Sequence, residues 1–444
     1  MSSVSRNVDR IDAIFDDPNL VADAGLLLPV TLMVRLGLEA LINDTVHLAG
    51  RVGGALPGRK VLTLVASMLT AGSYIAHADR LRAGATQQVL PFRVMAPSTL
   101  GTFLRSFTFG HIRQLDKVLA EAIRRAWSLG AGPGADRLVI DVDSTITEVH
   151  GHAKHGAAYG YTKRLGYHPL LATCAHTGEV LHARLRLGSA NTQRGAKRFA
   201  EELIARVRRC GATGEIVVRF DSGFWSNKLI DTLGRLDVRY TMAVRCGTKH
   251  IAAAIACIPE DAWRPIDYTA GGEAEVAECL YVTGTGKHRV ERRLIVRRTR
   301  LTDTAQRKLW PDWRHHGFLT DLDGDAVDID AFHRHHAVVE LAIRDLKEGA
   351  GLEHVPSGRF HANCAWLACA VLAHNIIRWT ATLGGINNDR RLVVARSVRN
   401  QLIAIAGRLV NRSGRTVLRL PRHWPWERSF LDALGRLRAL PAPG

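Results

Sequence analysis

Apolar positions in the first 130 residues recur every three to four places, in blocks such as Leu26–Leu48, Val61–Ala76 and Ile112–Leu129 separated by short polar breaks. That period predicts an all-helical region. Within it a short helix after Pro97, with Ser98 or Thr99 suited to cap it, and a second from Gly110 flank a tight break at Phe107–Gly110. A DNA-docking helix-turn-helix and a plain helical hairpin both fit this pattern. Residues 130–135 form a glycine-rich linker, after which the period falls to two: Leu138, Ile140 and Val142 alternate with Val139, Asp141 and Asp143. That segment reads as a strand.

Further along, His168–Cys174 and Val180–Leu187 predict a hairpin, followed by a helix over Thr192–Arg209. A strand over Glu215–Phe220 ends in Asp221, and a helix over Ser226–Leu236 leads to a strand over Val238–Arg245. The predicted order is β-β-β-α-β-α-β. Val276–Thr283 and Arg289–Thr299 then read as a long basic hairpin around Gly284–Lys287, and His316–Asp321 as a strand. Asp330 is placed to cap a helix from Ala331 to Lys347, and helices follow over Phe360–Leu383 and Leu392–Leu409.

A chain of 444 residues has room for two or three domains. Its 60 Lys and Arg against 42 Asp and Glu give a net charge of +18, which favours a polyanionic partner, nucleic acid first. From Arg390 onward there are twelve Arg, no Lys and two acids, so about ten of those charges lie in the last 55 residues. The tail is expected on DNA, or else as a solvated basic face. The charged N-terminus lacks a secretory apolar run, and Val61–Ala76 is short and interrupted by Ser67, Gly72 and Ser73. No membrane role is expected, and the location expected is a bacterial cytoplasm, associated with the nucleoid. Seven cysteines with no C-x-x-C pair read as reduced thiols.

Three carboxylates stand out: Asp143 and Asp221 at strand ends, and Glu340 on the helix that also carries His333 and Lys347 at spacings of seven. Glu340, six intervening residues and Lys347 match the end of a Y-x2-R-x3-E-x6-K signature. Around the acids stand Asp141-Val-Asp-Ser-Thr145, the stretch from Gly160-Tyr161 to Gly166-Tyr167, Arg219-Phe-Asp-Ser-Gly-Phe224 and Glu340-Leu-Ala-Ile-Arg-Asp-Leu-Lys-Glu-Gly349. In combination, over roughly residues 10–385, these resemble the DDE transposases of bacterial cut-and-paste insertion sequences. A lone Asp at a strand end is usually a turn-former and a lone helix Glu usually a solvated residue, but three in this order on these elements point to chemistry.

The resemblance implies an α/β fold with a ribonuclease-H-like core, a mixed sheet in which the first and fourth strands are neighbours. Asp143 and Asp221 would then face each other, and two such acids repel unless hard Mg²⁺ or Mn²⁺ neutralises them. Two ions per site are expected, with Asp143, Asp221 and Glu340 as ligands and catalytic acids and Asp141 as the alternative to Asp143. The implied domains are a helical DNA-binding or dimer domain (1–130), the core in two parts (136–246 and 330–385), a β-rich insertion (247–329) and a basic helical region (386–444). The implied activity is cleavage at element ends and strand transfer into target DNA, on double-stranded terminal inverted repeats, by a homodimer without an organic cofactor. A nuclease or resolvase that does not join, and a domesticated DNA-binding protein, are the competing readings.

The chain departs from the signature by placing His333 and His336 where Tyr and Arg are expected. A protonated His can hold a phosphate, so that contact would weaken as pH rises through about 6 to 7. Arg334 or Arg344 is the alternative cation, while the spacing of His333, His335 and His336 argues against a zinc site. In the insertion, Lys287, Arg289, Arg292, Arg293, Arg297 and Arg298 suit phosphate contacts, and Trp310 and Trp313 suit either stacking on a flipped base or a core role.

Overall fold

The computed structural model describes residues 8–160, 162–269, 271–283, 289–301, 313–386 and 394–442. Lys287, Trp310 and Tyr161 lie outside the described residues, as do Arg390 and Arg391.

The period-two segments build one nine-stranded mixed sheet. Its strands are β1 (Leu138–Ser144), β2 (Leu170–Cys174), β3 (Val180–Arg184), β4 (Ile216–Phe220), β5 (Arg239–Val244), β6 (Arg264–Ile266), β7 (Gly272–Thr283), β8 (Val290–Leu301) and β9 (Arg314–Thr320). They lie in the order β3-β2-β1-β4-β5-β9-β8-β7-β6. β1 runs parallel to β4 and β4 to β5, and all other neighbours are antiparallel. The described residues of 247–329 therefore do not build a sheet of their own. β9 pairs with β5, Leu319 opposite Met242, and the insertion strands extend the central sheet outward. A small three-stranded sheet of Thr147–Glu148, Ala158–Tyr159 and Leu165–Tyr167 occupies the segment between β1 and β2, for which no strand is predicted.

The helical N-terminal region contains α1 (Leu27–Arg35), α2 (Leu38–Thr45), α3 (Pro57–Leu69), α4 (Pro97–Arg105) and α5 (Phe109–Ala126). The predicted caps at Ser98 and Thr99 are already inside α4, whose first helical residue is Pro97, a position where its missing N–H costs nothing. α6 (Ala196–Cys210) and α7 (Asn227–Arg235) connect β3, β4 and β5, and α8 (Lys249–Ala256) follows β5.

The segment bearing Glu340 is not one helix. Asp325, not Asp330, is the N-cap, its Oδ1 accepting from Val327 N at 2.8 Å. α9 (Ala326–Arg334) then stops, a 3-10 turn spans His335–Ala337, and α10 (Val338–Ala350) follows. Asp330 is instead buried against Arg297 and Arg334.

α11 (Phe360–Gly384) lies at the centre of the molecule, against α1, α3, α4, α5, α10 and β3. It is long and apolar enough to cross a membrane, yet most of it is buried, with Trp366 and Trp379 fully enclosed. An all-round apolar helix of this kind is what a large core requires. Among the described residues, the predicted helix over Leu392–Leu409 is present only over Ala395–Ile403. α12 (Ala395–Val398) and a further turn at Arg399–Ile403 give way to a hairpin of β10 (Gly407–Arg412) and β11 (Arg415–Arg419), before α13 (Glu427–Ala439). The C-terminal region is therefore mixed rather than helical.

Candidate active site

Parallel pairing of β1 with β4 sets Val142 opposite Phe220, so the next residues, Asp143 and Asp221, leave the same end of adjacent strands. Asp221 caps the turn Ser222–Phe224, its Oδ1 accepting from Gly223 N at 3.0 Å, and Asp143 Oδ1 accepts from Ser144 N at 2.6 Å. Burial raises the pKa of Asp143, the negative charges of Asp221 and Glu340 raise it further, and the Ser144 N–H and His336 oppose the shift. Asp221 is likewise raised by burial, against the Gly223 N–H and His336. Two carboxyl groups that disfavour each other's ionisation are poised to gain from a cation.

Glu340 sits in the first turn of α10, where a helix dipole favours negative charge. Val339, Ala342, Ile343 and Leu346 bury the opposite face of that helix. A cleft of about 300 Å³ is lined by Asp143, Thr145, Glu340, Arg344, Lys347 and Glu353, among others. Lys347 donates from Nζ to Ile146 O at 2.8 Å, and burial lowers its pKa. The exposed Arg344 is therefore the cation at the mouth of this cleft.

Asp141 and Asp143 project from the same face of β1, but their surroundings differ. Asp141 is fully buried, and its two oxygens accept from Arg219 Nε at 2.6 Å and Nη2 at 2.8 Å. His336 Nδ1 lies 2.8 Å from the same carboxylate. Arg219 also donates to Phe332 O at 2.7 Å, tying β4 to α9. Asp141 is a structural anion with both oxygens engaged, whereas Asp143 faces the cleft. Arg219 was not singled out by spacing, because its role depends on Asp141 lying opposite it in the β1–β4 register.

The other sequence-predicted residues scatter. His333 is stacked on Phe318, with ring centroids 4.2 Å apart, and its Nδ1 is 2.7 Å from Thr241 Oγ1. Burial pushes its imidazole down to about 3, so it stays neutral across the range where a cationic phosphate contact was expected. Arg334 is spent on Asp330 at 2.9 Å. In the insertion, Arg289 pairs with Glu291, Arg292 with Asp231, Arg293 with Glu278, Arg297 with Asp330, and Arg298 with Glu275 and Glu260. The expected phosphate contacts of this hairpin are occupied by carboxylates of the same chain. Trp313 lies beneath the guanidinium groups of Arg298 and Arg300, each 4.4 Å from its ring, a packing role rather than an open platform.

Among the described residues no three His, Cys, Asp or Glu side chains stand close enough to hold one ion. Asp143 and Asp221 nevertheless suit a hard divalent cation, through their all-oxygen donors and mutual repulsion. Glu340 lines the same cleft, open to solvent.

Two carboxylates thus leave the same end of adjacent parallel strands, and one of them, Asp143, shares a cleft with the acid-bearing helix α10. The chain belongs to the DDE transposases: the family described as transposase DDE domain group 1 matches residues 4–442. It is accordingly a transposase, and transposases of this kind generally use divalent metal ions. Among solved structures, a cryo-EM structure of the piggyBac transposase synaptic complex with hairpin DNA is similar at 12% identity and a TM-score of 0.46, over 86% of this chain and 79% of that one. No curated protein sequence matches the chain.

Proposed function

We propose that this transposase cuts double-stranded DNA at the terminal inverted repeats of an element and joins the freed 3′ ends to target DNA. The observation that carries the reading is the pair Asp143 and Asp221, side by side at the ends of parallel strands, with Glu340 lining the cleft that Asp143 faces. The strand order β3-β2-β1-β4-β5 supports a ribonuclease-H-like core extended by the insertion strands. Asp143 and Asp221, with Glu340 as the third acid, would hold Mg²⁺ or Mn²⁺, two ions on this reading, and the ions would supply an activated water and stabilise the leaving oxygen.

Around that centre the protein positions and neutralises. Arg344 at the cleft mouth offers a charged donor to a DNA phosphate, and the buried Lys347 keeps the wall of the cleft attached to the segment after β1. Arg219 and Asp141 hold β1, β4 and α9 in one register, and with them His336 beside the two acids. Because two element ends are processed together, the working unit is a homodimer on DNA.

The test is incubation of the purified protein with Mg²⁺ and a duplex carrying the inverted repeats that flank its gene. Cut ends and joined products together are expected. Clean cutting with no joined product would replace this reading with a nuclease, and binding without cutting would replace it with a domesticated DNA-binding protein.

A further inference from the structure

The C-terminal hairpin was not anticipated, and its charge is arranged unlike that of any other strand pair in the described residues. β10 and β11 meet through Ser413 and Gly414, both with positive φ (51° and 74°), as a two-residue turn of the primed type requires. The register sets Arg408 opposite Arg419, Val410 opposite Val417 and Arg412 opposite Arg415. Of the two intervening pairs, which face the other way, Asn411 with Thr416 is exposed and Leu409 with Leu418 packs into a small apolar cluster with Val21, Ala24 and Ala85. All four arginines are therefore on one face, and all four are exposed.

Like charges directly opposite each other destabilise a strand pair. Here both charged pairs of one face are Arg on Arg. Among the described residues only Arg408 has a carboxylate, Asp17 at 3.3 Å, and no carboxylate pairs with Arg412, Arg415 or Arg419. The face is nonetheless firmly mounted. Leu20 and Val21 pair with β10, Trp424 Nε1 donates to Gln401 O, and Arg399 donates to Gly349 O on the Glu340 helix. Three guanidinium groups without a carboxylate, beside a fourth shared with Asp17, on a ribbon mounted in this way suit contact with an anionic partner.

The spacing narrows which anion. The two arginine pairs lie four residues apart on each strand, about 13 Å at the rise of an extended chain. That is close to the width of the DNA major groove, about 12 Å, which also admits a two-stranded ribbon. We propose that Gly407–Arg419 is a double-stranded-DNA arm: Arg408 with Arg419 and Arg412 with Arg415 take phosphates on the two backbones that border a groove, and Val410 with Val417 spans between them. This rests on the reading that the chain acts on DNA and names a surface for holding it outside the acidic cleft.

The test uses the full-length protein and a fluorescent random-sequence 30-base-pair duplex, without divalent metal so that nothing is cut. Affinity is measured across sodium chloride concentration for wild type, for Arg412→Gln/Arg415→Gln, for the fourfold Gln variant and for the fourfold Lys variant. The fourfold Gln variant is expected to bind at least tenfold more weakly at 100 mM salt and to lose about three to four from the slope of log Kd against log salt, nearly one per phosphate. The double variant is expected to lose about half of that, and the Lys variant to keep most of it. The melting temperature of the Gln variants should stay level or rise, because like-charge pairs are removed, which separates lost contact from lost folding.

Unchanged affinity and slope in a folded fourfold variant overturns the arm while leaving transposase activity standing. A wild type that does not bind duplex DNA at all overturns the functional reading itself. Equal or tighter quartet-dependent binding to phosphatidylserine vesicles or to single-stranded RNA overturns double-stranded DNA as the occupant.

Discussion

The β7–β8 and β10–β11 hairpins are both rich in arginine, yet their charges are used in opposite ways. In the first, Glu275 lies opposite Arg298 and Glu273 opposite Arg300, while Glu278 reaches Arg293 diagonally. In the second, arginine faces arginine and carboxylates are nearly absent. A count of basic residues treats the two alike. The register separates them, because it decides whether a guanidinium meets an acid of its own chain or is left for a partner.

The strongest way to test that contrast is at the buried extreme of the first behaviour. Replacing Arg219 with Leu leaves Asp141 fully buried with His336 as its remaining partner, and should cost about 3–5 kcal/mol in chemical denaturation. A loss within experimental error would show that the Asp141–Arg219 pair does not hold the sheet together. One step down, Arg297→Met removes a donor to the buried Asp330 while Arg334 stays, with an expected loss of roughly 1–3 kcal/mol and unchanged affinity for duplex DNA. A tenfold drop in DNA affinity at unchanged stability would put this hairpin back on the DNA and erase the contrast.

The smallest effect concerns pH. His333 and His182 are both held to about 3 by burial, whereas in the unfolded chain they titrate near 6.5. Between those values the unfolded state binds protons that the folded state refuses, so their contribution to stability is complete above pH 6.5 and is lost as pH falls toward 3. His333→Phe should therefore melt with a shallower acid dependence than wild type between pH 7 and 5. The same fall in melting temperature for both proteins would show that His333 is accessible to protons in the fold. NMR titration of the His333 ring checks the point directly, with no protonation expected near neutrality.

Much of the core was legible in the sequence. Period-two segments ending in Asp143 and Asp221 became adjacent strands, and the helix carrying Glu340 walls their cleft. What escaped depends on partners distant in the chain. The choice between Asp141 and Asp143 turns on Arg219 in the neighbouring strand, and Asp330 looks like a cap until Arg297 and Arg334 are placed beside it. The break at His335–Ala337 follows His333, tied to Thr241, and contains His336, tied to Asp141. The C-terminal hairpin was hidden because Leu392–Leu409 is apolar at near-helical spacing, which masked the alternation that starts at Arg408 around a Ser-Gly turn. In the basic insertion the converse holds: Glu273, Glu275 and Glu278 lie across the turn from the arginines, and only the strand register brings them together.

On the proposed function, Asp143 and Asp221 form the catalytic pair and Asp141 does not. Single-turnover cleavage of the gene's own inverted-repeat duplex in Mg²⁺, comparing wild type with Asp143→Asn and Asp221→Asn, tests it most directly, with duplex binding measured alongside. Each substitution is expected to slow cutting by about a thousandfold or more while affinity for the uncut duplex persists. Cutting by Asp143→Asn or Asp221→Asn at the wild-type rate would contradict it.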